Sequence, residues 1–297
     1  MFDVITFGSS TVDVFLKVKK LSFRAGSKHL IDNLEVVSGG GGTNTACAFS
    51  KQGLKTAHVG LLSNDIFSHV ILKDLKRFKV KKFFQRTDKK TAFSLILSPF
   101  QKERSILFYE GASHFLSKKH IPFKKIRKTK WFYLAPLHRK SALVLKPLVK
   151  FAKENGIKVA LNPAKETLKD CKEVFRDIDF LLMNKEEIDS LFRGGLQGKI
   201  KEMPSKITAI TLGKKGSLIW DGKKLFEASS NNVRVVEKTG AGDAFGSGFV
   251  SGLIRENDIE YAIRMAVSNA ESCIGKLGAK QGLISKGKLK KVRYKKI

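Results

Sequence analysis

The run Thr239-Gly240-Ala241-Gly242-Asp243-Ala244-Phe245-Gly246-Ser247-Gly248-Phe249 places one carboxylate, Asp243, just inside the first turn of an apolar helix. Three residues able to expose backbone N–H groups, Gly240, Ala241 and Gly242, come immediately before it. A helix N-terminus carries unpaired donors and a partial positive charge, so it attracts anions. The glycines let a ligand approach the backbone with no Cβ in the way. A carboxylate at the mouth of such a site can accept a proton from an alcohol while the N–H groups hold a charged group in transfer. The same tetrapeptide also suits an ordinary turn in which the Asp caps its helix, so other residues must decide.

A second glycine cluster, Gly39-Gly40-Gly41-Gly42-Thr43-Asn44, opens another helix-like stretch. Read plainly, it is a flexible loop with Thr43 or Asn44 as the N-cap. Read chemically, bare backbone at Gly40 and Gly41 lets a polar ligand sit close, and Asn44 offers a donor and an acceptor to hydroxyls. Asp13 follows the first strand-like run and Gly8-Ser9-Ser10. It is a turn former, or it lines the crevice at the carboxyl end of a sheet. Asn184 and Glu187 are three apart after the apolar run Phe180–Met183, so they share the first turn of a helix. They fit a capping box, and they also fit a hard-oxygen surface that orients Mg²⁺ through water. Thr211-Leu212-Gly213-Lys214-Lys215-Gly216 is a tight turn after a strand, placed to touch a nucleotide phosphate or ribose.

These residues need a frame, and the chain supplies one. Phe2–Gly8, Thr56–Leu62, Trp131–Ala135, Ile157–Leu161, Phe180–Met183 and Ile207–Leu212 read as buried strands. Between and after them, helical spacing runs through Asp65–Phe78, Ser141–Asn155, Lys185–Phe192, Ala241–Ile254 and Ile259–Leu277. Alternation of this kind predicts an α/β fold with a doubly wound, mainly parallel sheet flanked by helices. Val12–Val18 and Leu34–Val37, with the hairpin Ala92–Leu97 and Arg104–Tyr109, predict a small β-sheet lid built from segments near 12–37 and 92–110. No linker composition splits the 297 residues, so one domain is expected over 1–297.

Composition narrows the classes. A hydrophobic content of 42% is ordinary for a globular protein, and no apolar run has the length of a membrane span. Met1–Ile5 lacks the basic-then-apolar layout of a signal peptide and reads as the start of a strand. The three cysteines, Cys47, Cys171 and Cys273, are far apart, which argues against a disulfide framework or a zinc site. A reducing cytoplasm is expected. The formal charge of +30 comes mostly from lysine, 45 Lys against 12 Arg, and is spread along the chain. Base readout favours arginine, so no specific nucleic-acid partner is expected, only nonspecific adhesion at low salt. The basic tail from Lys286 to Lys296 reads as a solvated end that partly frays.

Taken together, the motifs resemble those of the ribokinase-like (PfkB) family of sugar and nucleoside kinases, in the right order from Gly8 to about Gly282. The resemblance implies that Asp243 is the base toward the acceptor hydroxyl and that the backbone of Gly240, Ala241 and Gly242 forms the hole for the γ-phosphoryl of ATP. It implies that Asp13, Gly40, Gly41 and Asn44 hold acceptor hydroxyls, that Asn184 and Glu187 position Mg²⁺, and that Thr211, Gly213 and Gly216 flank the nucleotide. Asn269 is placed near the adenine. The lid would exclude water and form a homodimer contact. Chemistry of this kind works by positioning and charge stabilisation. Two departures matter. Where many members have Asp-Thr-Thr, this chain has Glu237-Lys238-Thr239, which argues against activation by K⁺. Gly41 stands where ribokinase-type clusters often carry lysine. Asp13 with Asn44 suits a vicinal diol, as in ribose or fructose, while Phe108, Tyr109 or Phe115 could stack on the base of a nucleoside. A catalytically silent sugar- or nucleic-acid-binding protein on the same fold is the alternative outside the enzymes.

Overall fold

The computed structural model describes residues 1–18, 25–99, 104–285 and 289–297. Its frame is a ten-stranded sheet. The parallel part of that sheet holds β1 (Phe2–Phe7), β4 (Thr56–Leu62), β5 (Lys81–Arg86), β8 (Thr129–Leu134), β9 (Lys158–Leu161), β10 (Phe180–Asn184) and β11 (Ile207–Thr211). An antiparallel edge adds β12 (Ser217–Trp220), β13 (Leu225–Ala228) and β14 (Tyr294–Lys296). The spatial order is β14-β13-β12-β11-β10-β9-β8-β1-β4-β5. The strand order therefore reverses at β1, which lies between β8 and β4. Crevices at such a reversal, at the carboxyl ends of the strands, are where open α/β sheets bind ligands.

A separate four-stranded sheet has the order β3-β2-β6-β7, with β2 (Thr11–Val18), β3 (Ile31–Gly39), β6 (Ala92–Pro99) and β7 (Ser105–Tyr109). It is the small sheet expected from the sequence. Its β6–β7 hairpin pairs Phe93 with Tyr109 and Leu95 with Leu107. The polar connections of the expected lid at 19–24 and 100–103 lie outside the described residues.

The helices are α1 (Gly41–Lys51), α2 (Ile66–Arg77), α3 (Phe123–Ile126), α4 (Leu145–Glu154), α5 (Leu168–Cys171), α6 (Lys185–Leu191), α7 (Leu196–Lys201), α8 (Ala241–Glu256) and α9 (Ile259–Cys273). One face of the large sheet is sealed by α8 and α9, and Phe249 of α8 stacks on Phe180 of β10 with ring centroids 4.4 Å apart. Gly248 and Gly252 lie so close to Ala266 and Ala262 of α9 that a Cβ at either would overlap the partner helix. Close backbone approach of this kind fixes α8, and with it the residues at its N-terminus.

Three details correct the sequence reading. The helix expected over Ser141–Asn155 begins as a 3₁₀ turn at Arg139–Val144 before α4. The helix expected to Leu277 ends at Cys273. The tail does not end free: Tyr294–Lys296 pairs with β13, and Tyr294 and Lys296 both engage Glu260 of α9. Residues 286–288 of that tail lie outside the described residues. All three cysteines are buried thiols, and no described helix is long and apolar enough to cross a membrane.

Candidate active site

At the reversal point, β1 runs into Gly8-Ser9-Ser10 and β3 delivers the glycine cluster to the start of α1. Ser9 pins that start. Its Oγ accepts from the Gly41 N–H at 3.2 Å and its carbonyl accepts from the Gly42 N–H at 3.1 Å. Gly41 then lies directly against Asp243, because a Cβ on it would stand 3.2 Å from Asp243 Oδ1 and 3.2 Å from Pro136 Cδ. Asn44, one turn further along α1, donates from Nδ2 to Asp243 Oδ2 at 2.8 Å. The Oδ1 atom of Asn44 is buried and has no hydrogen-bond partner. A buried amide oxygen without a donor costs about 1–3 kcal/mol, so this atom is suited to accept from a hydroxyl brought by a ligand.

Asp13 comes from the small sheet. It is buried on β2 between Val37 of β3 and Ser94 of β6, and its carboxylate packs onto Gly39, where any Cβ would overlap it. Phe108 pairs with Ser94 in register, so it stands on the same face of the small sheet as Asp13. Asp13, Gly41, Asn44 and Asp243 are thus brought to one place from both sheets.

Protein atoms crowd the Asp243 carboxylate although the residue keeps some exposure. Burial pushes its pKa up to about 6; the Asn44 hydrogen bond and the Lys280 charge oppose the rise, and Asp13 adds to it. Burial likewise raises Asp13, against a hydrogen bond from Ser94 and the charges of Lys280 and Arg104. A carboxylate poised near neutrality and held by a donor is suited to general-base work.

The N-terminus of α8 differs in one respect from expectation. Gly240, at the cap, has φ +79°, and a Cβ on it would collide with Ala279. The Ala241 N–H donates to the Lys238 carbonyl at 3.2 Å, so it is already used. Among the described residues nothing accepts from the N–H groups of Gly240, Gly242 and Asp243. The open donors are therefore those three rather than Gly240, Ala241 and Gly242. A Cβ on Gly242 would meet no protein atom within 4 Å, so open space lies beside it.

Glu237, two residues before Thr239, is engaged by a residue the sequence did not single out. The guanidinium of Arg104, just before β7, pairs with Glu237 Oε1 and donates to Thr239 Oγ1 at 2.8 Å. Glu237 Oε1 also accepts from the Thr239 backbone N–H at 3.0 Å. The small sheet is tied by this contact to the loop that carries the open donors.

Further along the sheet, Asn184 and Thr211 end neighbouring strands and face each other in register. Asn184 caps α6: its Oδ1 accepts from the Glu187 N–H at 2.9 Å, and Glu187 Oε2 accepts from the Asn184 N–H at 2.7 Å. The capping box is thus present. Burial raises the pKa of Glu187, and the Asn184 N–H opposes the rise. The second oxygen of Glu187 has no partner among the described residues. No group of three or more His, Cys, Asp or Glu able to hold a metal exists among them either. Gly213 and Gly216 flank the short turn after β11, with Gly213 open to space and Gly216 packed on the Ala228 carbonyl.

Asn269 sits elsewhere than a ligand contact requires. It is fully buried in α9, donates to the Ala244 carbonyl at 2.7 Å and accepts from the Ile284 N–H at 3.1 Å. Its amide is spent bracing α8 against the segment after α9, and this corrects its placement beside the adenine.

Solved structures share this fold across nearly the whole chain. An adenosine kinase from Sinorhizobium meliloti superposes with a TM-score of 0.82 at 21% identity, covering 94% of this chain and 95% of that one. An Arabidopsis thaliana ribokinase complexed with ribose and ATP gives 0.80 at 21% identity, covering 96% of each. In sequence, the chain is 28% identical to a ribokinase of Lactococcus lactis over 287 residues, 95% of this chain and 94% of the relative. The pfkB family carbohydrate kinase profile matches residues 1–286. The chain belongs to the pfkB family of kinases and is therefore a phosphotransferase.

Proposed function

We propose that this protein moves the γ-phosphoryl group of ATP to a hydroxyl of a sugar, with Asp243 as the general base. The observation that carries the reading is the contact set at one point. Asp243 stands against Gly41, is held by Asn44 and lies beside three unused N–H donors. The acceptor hydroxyl gives its proton to an Asp243 carboxylate oxygen as its own oxygen bonds to phosphorus. The bond to the β-phosphate oxygen breaks, and ADP leaves with the charge that the α8 N-terminus helped to stabilise. Asp13 and the free Oδ1 of Asn44 accept from neighbouring hydroxyls and so orient the sugar. The small sheet is the lid, and Arg104 holds it to the phosphate loop, which keeps water from competing for the phosphoryl group.

Magnesium enters with ATP as part of the substrate. The fit is limited but real: Glu187 keeps one carboxylate oxygen open beside Asn184 and Thr211, enough to meet an ion through its water shell. Because Arg104 already neutralises Glu237 and occupies Thr239, no monovalent cation is needed there.

Phe108 on the Asp13 face favours a second acceptor class, nucleosides, since it could stack on a base. The deciding experiment measures ADP release across pentoses, hexoses, sugar acids, sugar phosphates and nucleosides, in sodium and in potassium buffers. One acceptor should support turnover that Asp243→Asn lowers by at least about a hundredfold, the scale of general-base loss. Turnover on no acceptor above the Asp243→Asn level would overturn the reading. A rate that depends on potassium would overturn the role given to Arg104.

A further inference from the structure

Lys280 is only 3% exposed, a rare state for an ammonium group unless charge surrounds it. Its direct partners are two hydroxyls, Ser38 Oγ and Thr43 Oγ1, the second at 3.1 Å. Among the described residues no carboxylate forms an ion pair with it. Balancing charge must come from the next layer. Ser38 passes one connection on, donating to Asp74 Oδ2 at 2.7 Å, but Asp74 is already shared with Arg77 at 3.1 Å.

The two hydroxyls occupy telling places. Ser38 precedes Gly39, onto which the Asp13 carboxylate packs, and Thr43 precedes Asn44, which holds Asp243. On its other side, Lys280 follows Ala279, the residue against which Gly240 closes. One buried cation therefore bonds to the residue before each support of the two site carboxylates and adjoins the residue that supports the phosphate loop.

We propose that Lys280 is a positioning residue whose buried charge keeps Asp243 and Asp13 ionised at neutral pH while its hydrogen bonds fix the strand end and helix start that carry their supports. The proposal rests on Asp243 being the base. The direction of the electrostatics agrees, since Lys280 lowers both carboxylates against the burial that raises them. Other titratable groups around the pair do not compete near neutrality. His58 is held neutral at about 3 and the Cys273 thiol is pushed up to about 12. The Cys47 thiol, also near Lys280, is pushed up to about 11, and the buried Tyr133 hydroxyl beside Asp243 is raised well above its usual range. Arg104 and Glu237 act on Asp13 with opposite signs. The charge of Asp13 favours a proton held on Asp243, and a fixed cation opposes it.

The test is the pH dependence of kcat/KM for the acceptor, which reports the free enzyme. Lys280→Gln keeps a donor for the two hydroxyls and removes the charge; Lys280→Met removes both. In each, the acid limb should move to higher pH by at least about half a unit, with the alkaline plateau retained, because a nearby opposite charge lowers a carboxylate by ~1–3 units. Ser38→Ala, which loses a hydrogen bond and keeps the charge, should leave the limb in place. A limb unmoved in Lys280→Gln, or moved equally in Ser38→Ala, overturns the proposal. Carboxyl-selective ¹³C NMR of Asp243 in wild type and Lys280→Gln reads the same shift without turnover, so it decides the matter if a variant is inactive. Failure of the base assignment is told apart by Asp243→Asn, which would then turn over normally.

Discussion

Replacing Asp243 by Asn should make the protein a poorer enzyme and, above neutral pH, a more stable fold. In the folded state burial lifts the Asp243 pKa from 3.8 to about 6. The sign follows from proton binding. The folded chain holds this proton more tightly than the unfolded chain, so the charged carboxylate disfavours folding once pH exceeds the unfolded pKa. The penalty is absent below about pH 4, grows through the interval and is complete above about pH 6. About 2 units at 1.36 kcal/mol each give at most about 3 kcal/mol, reduced by whatever solvent reaches the partly exposed side chain. Asn keeps an oxygen for the Asn44 amide, so the hydrogen bond survives the exchange. Thermal unfolding of wild type and Asp243→Asn across pH 4 to 8 is the assay. The variant's advantage in Tm should be near zero at the acid end and a few degrees at the alkaline end, at roughly 2–4 °C per kcal/mol for a chain somewhat smaller than this one. A difference that does not change with pH, or one that favours wild type at pH 8, would refute the argument that burial strains the charged form.

Two neighbouring glycines should separate structure from function. Gly240→Ala must adopt φ +79° and press into Ala279, so it should lose about 1–3 kcal/mol of stability by chemical denaturation. Gly242→Ala meets no protein atom and gains up to about 1 kcal/mol of helix propensity, yet its methyl group enters the space proposed for the phosphate, so kcat/KM for ATP should fall at least about tenfold while stability holds. On the small sheet, Leu34, Val36, Leu107 and Tyr109 share one face by register and stand exposed, which predicts a homodimer through that face. Light scattering should show a dimer that Leu34→Glu converts to a monomer; a monomeric wild type removes the prediction.

What was legible in the chain was what is local. Glycines followed by a polar residue and an apolar helix mark a ligand-facing helix start, so the segments at Gly39–Asn44 and Gly240–Asp243 stood out. Short apolar runs between helical patterns were enough for the parallel sheet, because buried parallel strands read as continuous Val, Ile and Leu. Edge strands escaped for the opposite reason: β5 is Lys-Lys-Phe-Phe-Gln-Arg and β14 is Tyr-Lys-Lys, so their pairing replaces apolar burial as the cause of the strand. Asn269 was placed near the adenine by the family resemblance alone, and only its two partners, 25 and 15 residues away, reveal that it braces rather than binds. Lys280 was one lysine among 45, and its burial depends on Ser38 and Thr43, more than 230 residues earlier. Arg104 met Glu237 across 133 residues. Contacts of that span leave no periodicity to read.

The Asn269 brace has a consequence for how this protein opens and closes locally. A single amide clamps the carbonyl one residue past Asp243 to the backbone after α9, both deep in the interior. The start of α8 and that segment should then exchange their amide hydrogens as one cooperative unit rather than fraying separately. A thermal excursion large enough to loosen the segment would also displace Asp243. On the proposed reading of Asp243 as the base, transfer would stop at that moment rather than continue in an ill-formed site.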